Sequence, residues 1–267
     1  MKFPLTAAFL LGAALPAAAH PQGADTDKPE YWLKKMATLA GRPVEADLEM
    51  KGQQMLIPMD GTGRLVYADS THYRLEQKMQ QHQQGRPEPV TASNLLVCDG
   101  TTLWSETNWI YYKKPQVEKI PLAQLQGAQD LALGMGMGGM DPDPVRLVQD
   151  FAALVDFKEV KSGKGVIILH GTVKADAKEK LGAMFDDPPK TMLLTLDEKT
   201  GFPVHRELRG DTGLIMSLRY TNVRHPKRED MDHTQFQYQP PADANVVDYG
   251  QAAPQQGQKP APKPGPQ

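Results

Sequence analysis

The chain has 267 residues, 40% of them apolar, and a formal net charge of −2 with both signs dispersed. That composition supports one large domain with its own core and excludes the clustered basic face that nucleic-acid binding needs. A single cysteine, Cys98, excludes an internal disulfide framework.

Lys2, the apolar run "AAFLLGAAL" over Ala7–Leu15 and the small-residue site Ala17-Ala18-Ala19 read as a secretory signal peptide over residues 1–19. Its apolar core is far shorter than the roughly 18 residues of a membrane-spanning helix. No cysteine follows the site, so the signal is not of the lipoprotein type, and a soluble periplasmic or extracellular protein is expected. Residues 250–267, "GQAAPQQGQKPAPKPGPQ", hold five prolines and no large apolar side chain, which reads as a disordered tail. Residues 20–249 are left as the folded domain.

A helix opens that domain. Asp27 is placed to cap it, Pro29 suits its first turn, and Trp32, Met36 and Leu39 recur at helical spacing before Gly41. The pattern then changes to period two. Val44, Ala46, Leu48 and Met50 alternate with Glu45, Asp47, Glu49 and Lys51, predicting a strand with one apolar and one wet face. "GRLVYADSTHYRLEQKM" continues in two pieces around Asp69-Ser70, with Leu65 and Tyr67 on one face and then Tyr73 and Leu75. Gln80–Ser93 reads as a polar loop. "NLLVCDGTTLW" reads as a hairpin turning at Asp99-Gly100, and "WIYYKKPQVEKIPL" as a further strand leading into a helix from Pro121.

The middle of the chain differs. Leu122, Leu125 and Leu131 belong to a predicted helix that gives way to "GMGMGGMDPDP". Asp143-Pro144 then starts a second helix carrying Leu147, Val148, Phe151 and Leu154, apolar around much of its circumference. From Phe157 the strands resume, interrupted by a short helix near Ala177–Phe185 and ending on a strand at "TQFQYQPP". The class is therefore mainly antiparallel β with helices, a meander whose apolar face the few helices must cover.

The search for chemistry is largely negative. His72, His82, His170, His205, His225 and His233 show no metal-ligand spacing, and no cysteine pair exists. Ser70, Ser93, Ser105, Ser162 and Ser217 have no adjacent base and no nucleophile-elbow motif, so no enzyme is expected. Met135, Met137 and Met140 are the one group that suits a metal, copper(I). Their bland reading is an adaptable apolar loop. Cys98 reads as a small packed hydrophobe.

Val97, Asp99, Gly100, Leu103 and Trp104 form a Val-x-Asp-Gly-x-x-Leu-Trp hairpin, and Phe236, Tyr238, Pro240 and Pro241 with the trailing "ANVVD" form an aromatic-proline exit. In these motifs, and in its opening amphipathic helix, the chain resembles the LolA-like periplasmic lipoprotein carriers over roughly residues 28–249. The resemblance implies an incomplete, strongly curved half-barrel closed by a helical lid, with acyl chains of a lipoprotein or lipid held between them. Carriers of the family have a Lys-Arg-Pro run whose arginine holds the lid. Ala68-Asp69-Ser70 stands there instead, which puts that latch and any handover from an inner-membrane transporter in question.

Strand alternation places Leu48, Met50, Leu65, Tyr67, Tyr73 and Leu75 on the cavity wall. Leu96 and Trp104 from the hairpin, and Leu131, Met135, Met137, Leu147 and Phe151 from the lid, complete the expected lining. The function expected is a carrier or chaperone without catalysis, cofactor or metal, acting as a monomer on lipoprotein acyl chains or other lipid, with a membrane-anchored acceptor or transporter as a further partner. A regulatory or sensory interaction module of the same fold, or a methionine-rich copper binder, are the alternatives.

Overall fold

The computed structural model describes residues 25–250 apart from 40, 55–56, 84, 110, 126–142 and 178–186. Six strands come first: β1 (Val44–Gln54), β2 (Ile57–Asp69), β3 (His72–Gln81), β4 (Val90–Asp99), β5 (Thr102–Trp109) and β6 (Gln116–Pro121). Five more follow the middle segment: β7 (Val155–Gly163), β8 (Val166–Val173), β9 (Thr191–Asp197), β10 (Pro203–Arg209) and β11 (Leu214–Arg224). The last is β12 (Asn245–Asp248). The helices among the described residues are α1 (Pro29–Ala37), α2 (Leu122–Leu125) and α3 (Pro144–Leu154).

All twelve strands share one sheet in the order β12-β6-β5-β4-β3-β2-β1-β11-β10-β9-β8-β7. β2 to β6 and β7 to β11 are antiparallel meanders, β1 joins them by pairing β2 on one side and β11 on the other, and β12 adds to β6 in parallel. The sheet is strongly curved and open, an incomplete half-barrel with edges at β12 and β7. Glycine allows part of that curvature. Gly63 of β2 faces the same side as Leu65, and a Cβ there would lie 2.2 Å from the Glu76 carbonyl oxygen of β3.

Period-two patterning fixes which side is inside. Val44, Ala46, Leu48 and Met50 of β1 are all at most 4% exposed and share one core with Leu65, Tyr67, Tyr73, Leu75, Leu194, Leu196 and Leu218. Trp32 and Met36 of α1, Leu39 beyond it, and Leu147 and Phe151 of α3 complete that core. Helix and sheet thus meet along one apolar layer, as binary patterning requires.

Four expectations need correction. The final "TQFQYQPP" is not a strand: His233–Phe236 is a 3-10 turn, and the chain pairs with the sheet only later, as β12. Proline at 240 and 241 removes two ladder donors, and the side chains before them are used for packing instead. The loop expected over Gln80–Ser93 is shorter, because β3 runs to Gln81 and β4 begins at Val90. The N-cap of α1 is Lys28, without a side-chain cap, so Asp27 does not cap it. The predicted strand from Trp109 starts only at Gln116.

Candidate functional site

The concave face is read most simply in rows across the ladders. Tyr67, Tyr73, Cys98, Leu103 and Ile120 are successive partners across β2 to β6. Leu65, Leu75 and Leu96 form the next row, with Ala46 beside Leu65 on β1. On the other run Ile167 and Leu169 of β8 face Leu196 and Leu194 of β9. Burial pushes the Cys98 thiol up to about 11, against a hydrogen bond from the Gly100 backbone, so it is a packed thiol and not a nucleophile.

Of the expected lining residues, Leu48, Met50, Leu65, Tyr67, Tyr73, Leu75, Leu147 and Phe151 are brought into this one core, and Leu96 packs against it partly buried. Leu131, Met135 and Met137, with Met140, lie outside the described residues. Trp104 is the exception. Alternation along β5 turns Leu103 inward and therefore Trp104 outward, onto the convex face.

Helix side chains fill the concave face where α1 and α3 lie on it, while a pocket of about 480 Å³ lined in part by Gly61, Met79, Ala92 and Trp109 opens toward the far end of β2–β5. Where Leu39 and Leu147 meet Val44, Leu65, Tyr67, Phe202 and Tyr220, the residual void is about 10 Å³, which is room for one water at most. Helix α3 has two polar ties. Arg146 donates to the Ser70 carbonyl in the β2–β3 turn at 3.5 Å, and its guanidinium is 3.7 Å from Asp143. Asp150 is the second. Burial raises its carboxyl, opposed by the positive charges of Arg146 and Arg206.

Arg206 was not anticipated. It is 4% exposed on the concave side of β10, between Leu194 of β9 and Leu218 of β11. The signal was present in "PVHRELR", where Arg206 shares a face with Val204 and Leu208. A charge on an otherwise apolar face is costly unless compensated, and the Asp150 carboxylate lowers that cost.

On the convex face the two sequence motifs explain each other. Asp99 Oδ1 accepts hydrogen bonds from the backbone of Thr101 and Thr102 and from the Thr101 hydroxyl, at 2.9–3.0 Å. Its Oδ2 accepts from the Trp104 indole at 3.0 Å. Burial would raise this carboxyl, but those donors together hold it below the ordinary carboxylate range. Gly100 has φ +99°, and a Cβ there would meet His72 Nε2 at 2.7 Å, so only glycine completes the turn. The Trp104 ring packs 5.4 Å from Tyr238, whose hydroxyl donates to Glu106 at 2.6 Å. Phe236 is buried with Val66, Ala68 and Met231. Residues 228–238 are thus a strap across the outside of β2–β5.

Asp69 belongs to the same outer system. Its Oδ1 accepts from the backbone of Thr71 and His72 and from the Thr71 hydroxyl, and Arg228 of the strap donates to its Oδ2. Burial opposes the charged form, but the hydrogen bonds from Thr71 and the His72 side chain bring its pKa down to about 2. The β2–β3 turn thus receives two arginines: Arg228 from the strap and Arg146 from the helix.

Among the described residues no three His, Cys, Asp or Glu side chains are grouped to hold a metal. No helix among them is long and apolar enough to cross a membrane.

These features define an open half-barrel with an apolar, helix-covered concave face and a bonded convex one. No protein-family model and no curated protein matches the chain. Similar solved structures include MucB, at 16% identity over 82% of this chain and 64% of that one, with a TM-score of 0.35. LprF from Mycobacterium bovis is 9% identical over 76% of this chain and 98% of its own, TM-score 0.39. The LolA superfamily protein NE2245 from Nitrosomonas europaea is 11% identical over 78% and 97%, TM-score 0.30. The chain therefore spans less than two thirds of MucB. Likeness at this level concerns the path of the chain and brings no cargo, partner or activity with it.

Proposed function

We propose that this protein is a periplasmic carrier that takes up acyl chains of a lipoprotein or a free lipid against the concave face of its half-barrel, with no chemical step. The observation behind this reading is the largely apolar concave face from β6 through β1 to β8, broken at Arg206 of β10 and met by the apolar side chains of α1 and α3. Each methylene moved from water into such a face contributes about 0.8 kcal/mol, so an acyl chain needs no polar contact to bind well.

The void of about 10 Å³ describes a closed state, and cargo enters by displacing helix α3. Leu147 and Phe151 then exchange one apolar neighbour for another, so little hydrophobic stabilisation is lost. The polar ties of Arg146 and Asp150 set the resistance to opening. The shared face of Leu48, Met50, Leu65, Tyr67, Tyr73, Leu75 and Leu96 supports their lining the cargo site, and the outward direction of Trp104 speaks against its taking part.

Native mass spectrometry of protein purified from its own periplasm tests the reading, with retained lipid mass expected. A fluorescent fatty-acid analogue should bind wild type and Arg64→Gln, and fail to bind Leu65→Glu that is folded by circular dichroism. Wild type that neither retains lipid nor binds any acyl probe would overturn the carrier reading in favour of an interaction module.

A further inference from the structure

The exposed large apolar side chains among the described residues are gathered on one margin of the sheet. Tyr111 and Tyr112, 56% and 46% exposed, lie in the β5–β6 loop, and Val246, Val247 and Tyr249 follow along and just beyond edge strand β12. The two groups adjoin, because Asn245 at the start of β12 donates its backbone N–H to the Pro115 carbonyl at the end of that loop, 2.9 Å away. Soluble surfaces scatter such residues, so their collection on one margin marks a contact site.

The loop reads "YYKKP" over 111–115, and Lys113 and Lys114 are exposed with no ion pair among the described residues. The β3–β4 loop lies beside it, joined by the Gln83 amide donating to the Tyr111 hydroxyl at 2.9 Å. In that neighbouring loop Arg86 and Glu88 offset each other, and the Asp60 carboxylate, bonded to the His82 ring at 2.5 Å, has Lys78 in the same pocket lining to offset it. Lys113 and Lys114 therefore set a positive sign at this tip, on a chain whose net charge is −2. Tyrosine has an apolar ring and a polar hydroxyl, which suits the headgroup level of a bilayer. Lysine next to it is attracted by anionic headgroups.

We propose that the β5–β6 loop, through Tyr111, Tyr112, Lys113 and Lys114, docks this protein on the surface of an anionic phospholipid bilayer. A bilayer is favoured over a protein partner because the tip combines two exposed aromatic rings with two lysines that have no ion pair among the described residues. The inference is independent of the carrier reading, since it concerns the loop and not the concave face.

Co-sedimentation of the exported chain with vesicles tests it. Vesicles of phosphatidylglycerol and phosphatidylethanolamine should bind it, and phosphatidylcholine vesicles much less. At about fivefold per lysine, Lys113→Gln with Lys114→Gln should weaken binding to the anionic vesicles roughly twenty-fold. Tyr111→Ser with Tyr112→Ser should weaken it several-fold, and added salt should do so for wild type. Lys158→Gln with Lys161→Gln, on the opposite edge strand β7, should leave binding unchanged. Absence of binding, equal binding to phosphatidylcholine, or equal loss from the β7 pair would overturn the proposal. So would self-association without vesicles that the tyrosine variant abolishes, because the patch would then be an interface between two copies. Binding of acyl probe to the concave face is read separately, and its failure leaves this test intact.

Discussion

Leu65, Leu75 and Leu96 lie side by side on the concave face, stabilised by the area they remove from water and by no directional bond of their side chains. At the end of the same strand pair, on the other side of the sheet, Asp99 takes four hydrogen bonds and Asp69 is bonded by Thr71, His72 and Arg228. Apolar contact is non-directional, so a helix side chain on the concave face is replaceable by another apolar group of similar size. The convex network is specific in angle and distance, and each donor lost leaves a partner unsatisfied. One face is thus suited to exchange its cover, while the other fixes the curvature on which that exchange depends.

The sharpest break in the comparison is a charge on the concave side. Leu65→Glu should cost about 4 kcal/mol or more in urea unfolding, because a carboxylate would be buried among Ala46, Leu75 and Tyr67 without a partner. Arg64→Gln, one residue along on the wet face, should cost no more than roughly 0.5 kcal/mol, the loss of one exposed contact to Glu45 at 3.5 Å. Equal costs would mean that the register, and with it the assignment of the two faces, is wrong.

Removing volume should distinguish the faces by rescue. Phe151→Ala should cost about 3 kcal/mol by leaving a cavity in the concave layer. Asp99→Ala should cost about 2 kcal/mol on the convex side, as the β4–β5 turn and the Trp104 indole lose their acceptor. A fatty acid added in excess should recover the melting temperature of the Phe151 variant and leave that of the Asp99 variant low. Recovery of both, or of neither, would remove the contrast between a replaceable and a fixed cover.

The smallest effect is in pH. The Asp69 carboxyl is depressed from 3.8 to about 2 in the folded chain, so the stability it contributes is present above pH 3.8 and is lost as pH falls toward 2. With solvent screening the contribution is of order 1 kcal/mol. Asp69→Asn should flatten the acid limb of the stability profile over that window and leave the neutral region shifted by a similar amount. An unchanged acid limb would show that the Thr71 and His72 bonds do not hold this carboxyl down in the folded chain.

Period-two alternation was legible strand by strand, since side-chain direction in a strand is a local property. Val44 to Met50, Leu65 with Tyr67, and Tyr73 with Leu75 share the face expected of them. The Asp99-Gly100 turn was equally legible. Trp104 was not: its ring invites a cavity assignment, yet Leu103 already occupies the inward position and the indole finds Asp99 and Tyr238 outside. Arg206 was visible as a charge on an apolar face, but its neighbour Asp150 lies more than fifty residues earlier, and no local pattern links them.

The sequence by itself determined the strand faces, the position of the tight turns and the antiparallel hairpin order, because each depends on residues a few positions apart. Tertiary structure alone decided that β1 pairs with β11, that the Phe236–Tyr238 segment is a strap over Trp104 instead of a strand, and that Asp69 is held by Arg228. These contacts join residues far apart in the chain. Their formation depends on how far the sheet curves, and that curvature is a sum over many strands which no short stretch encodes.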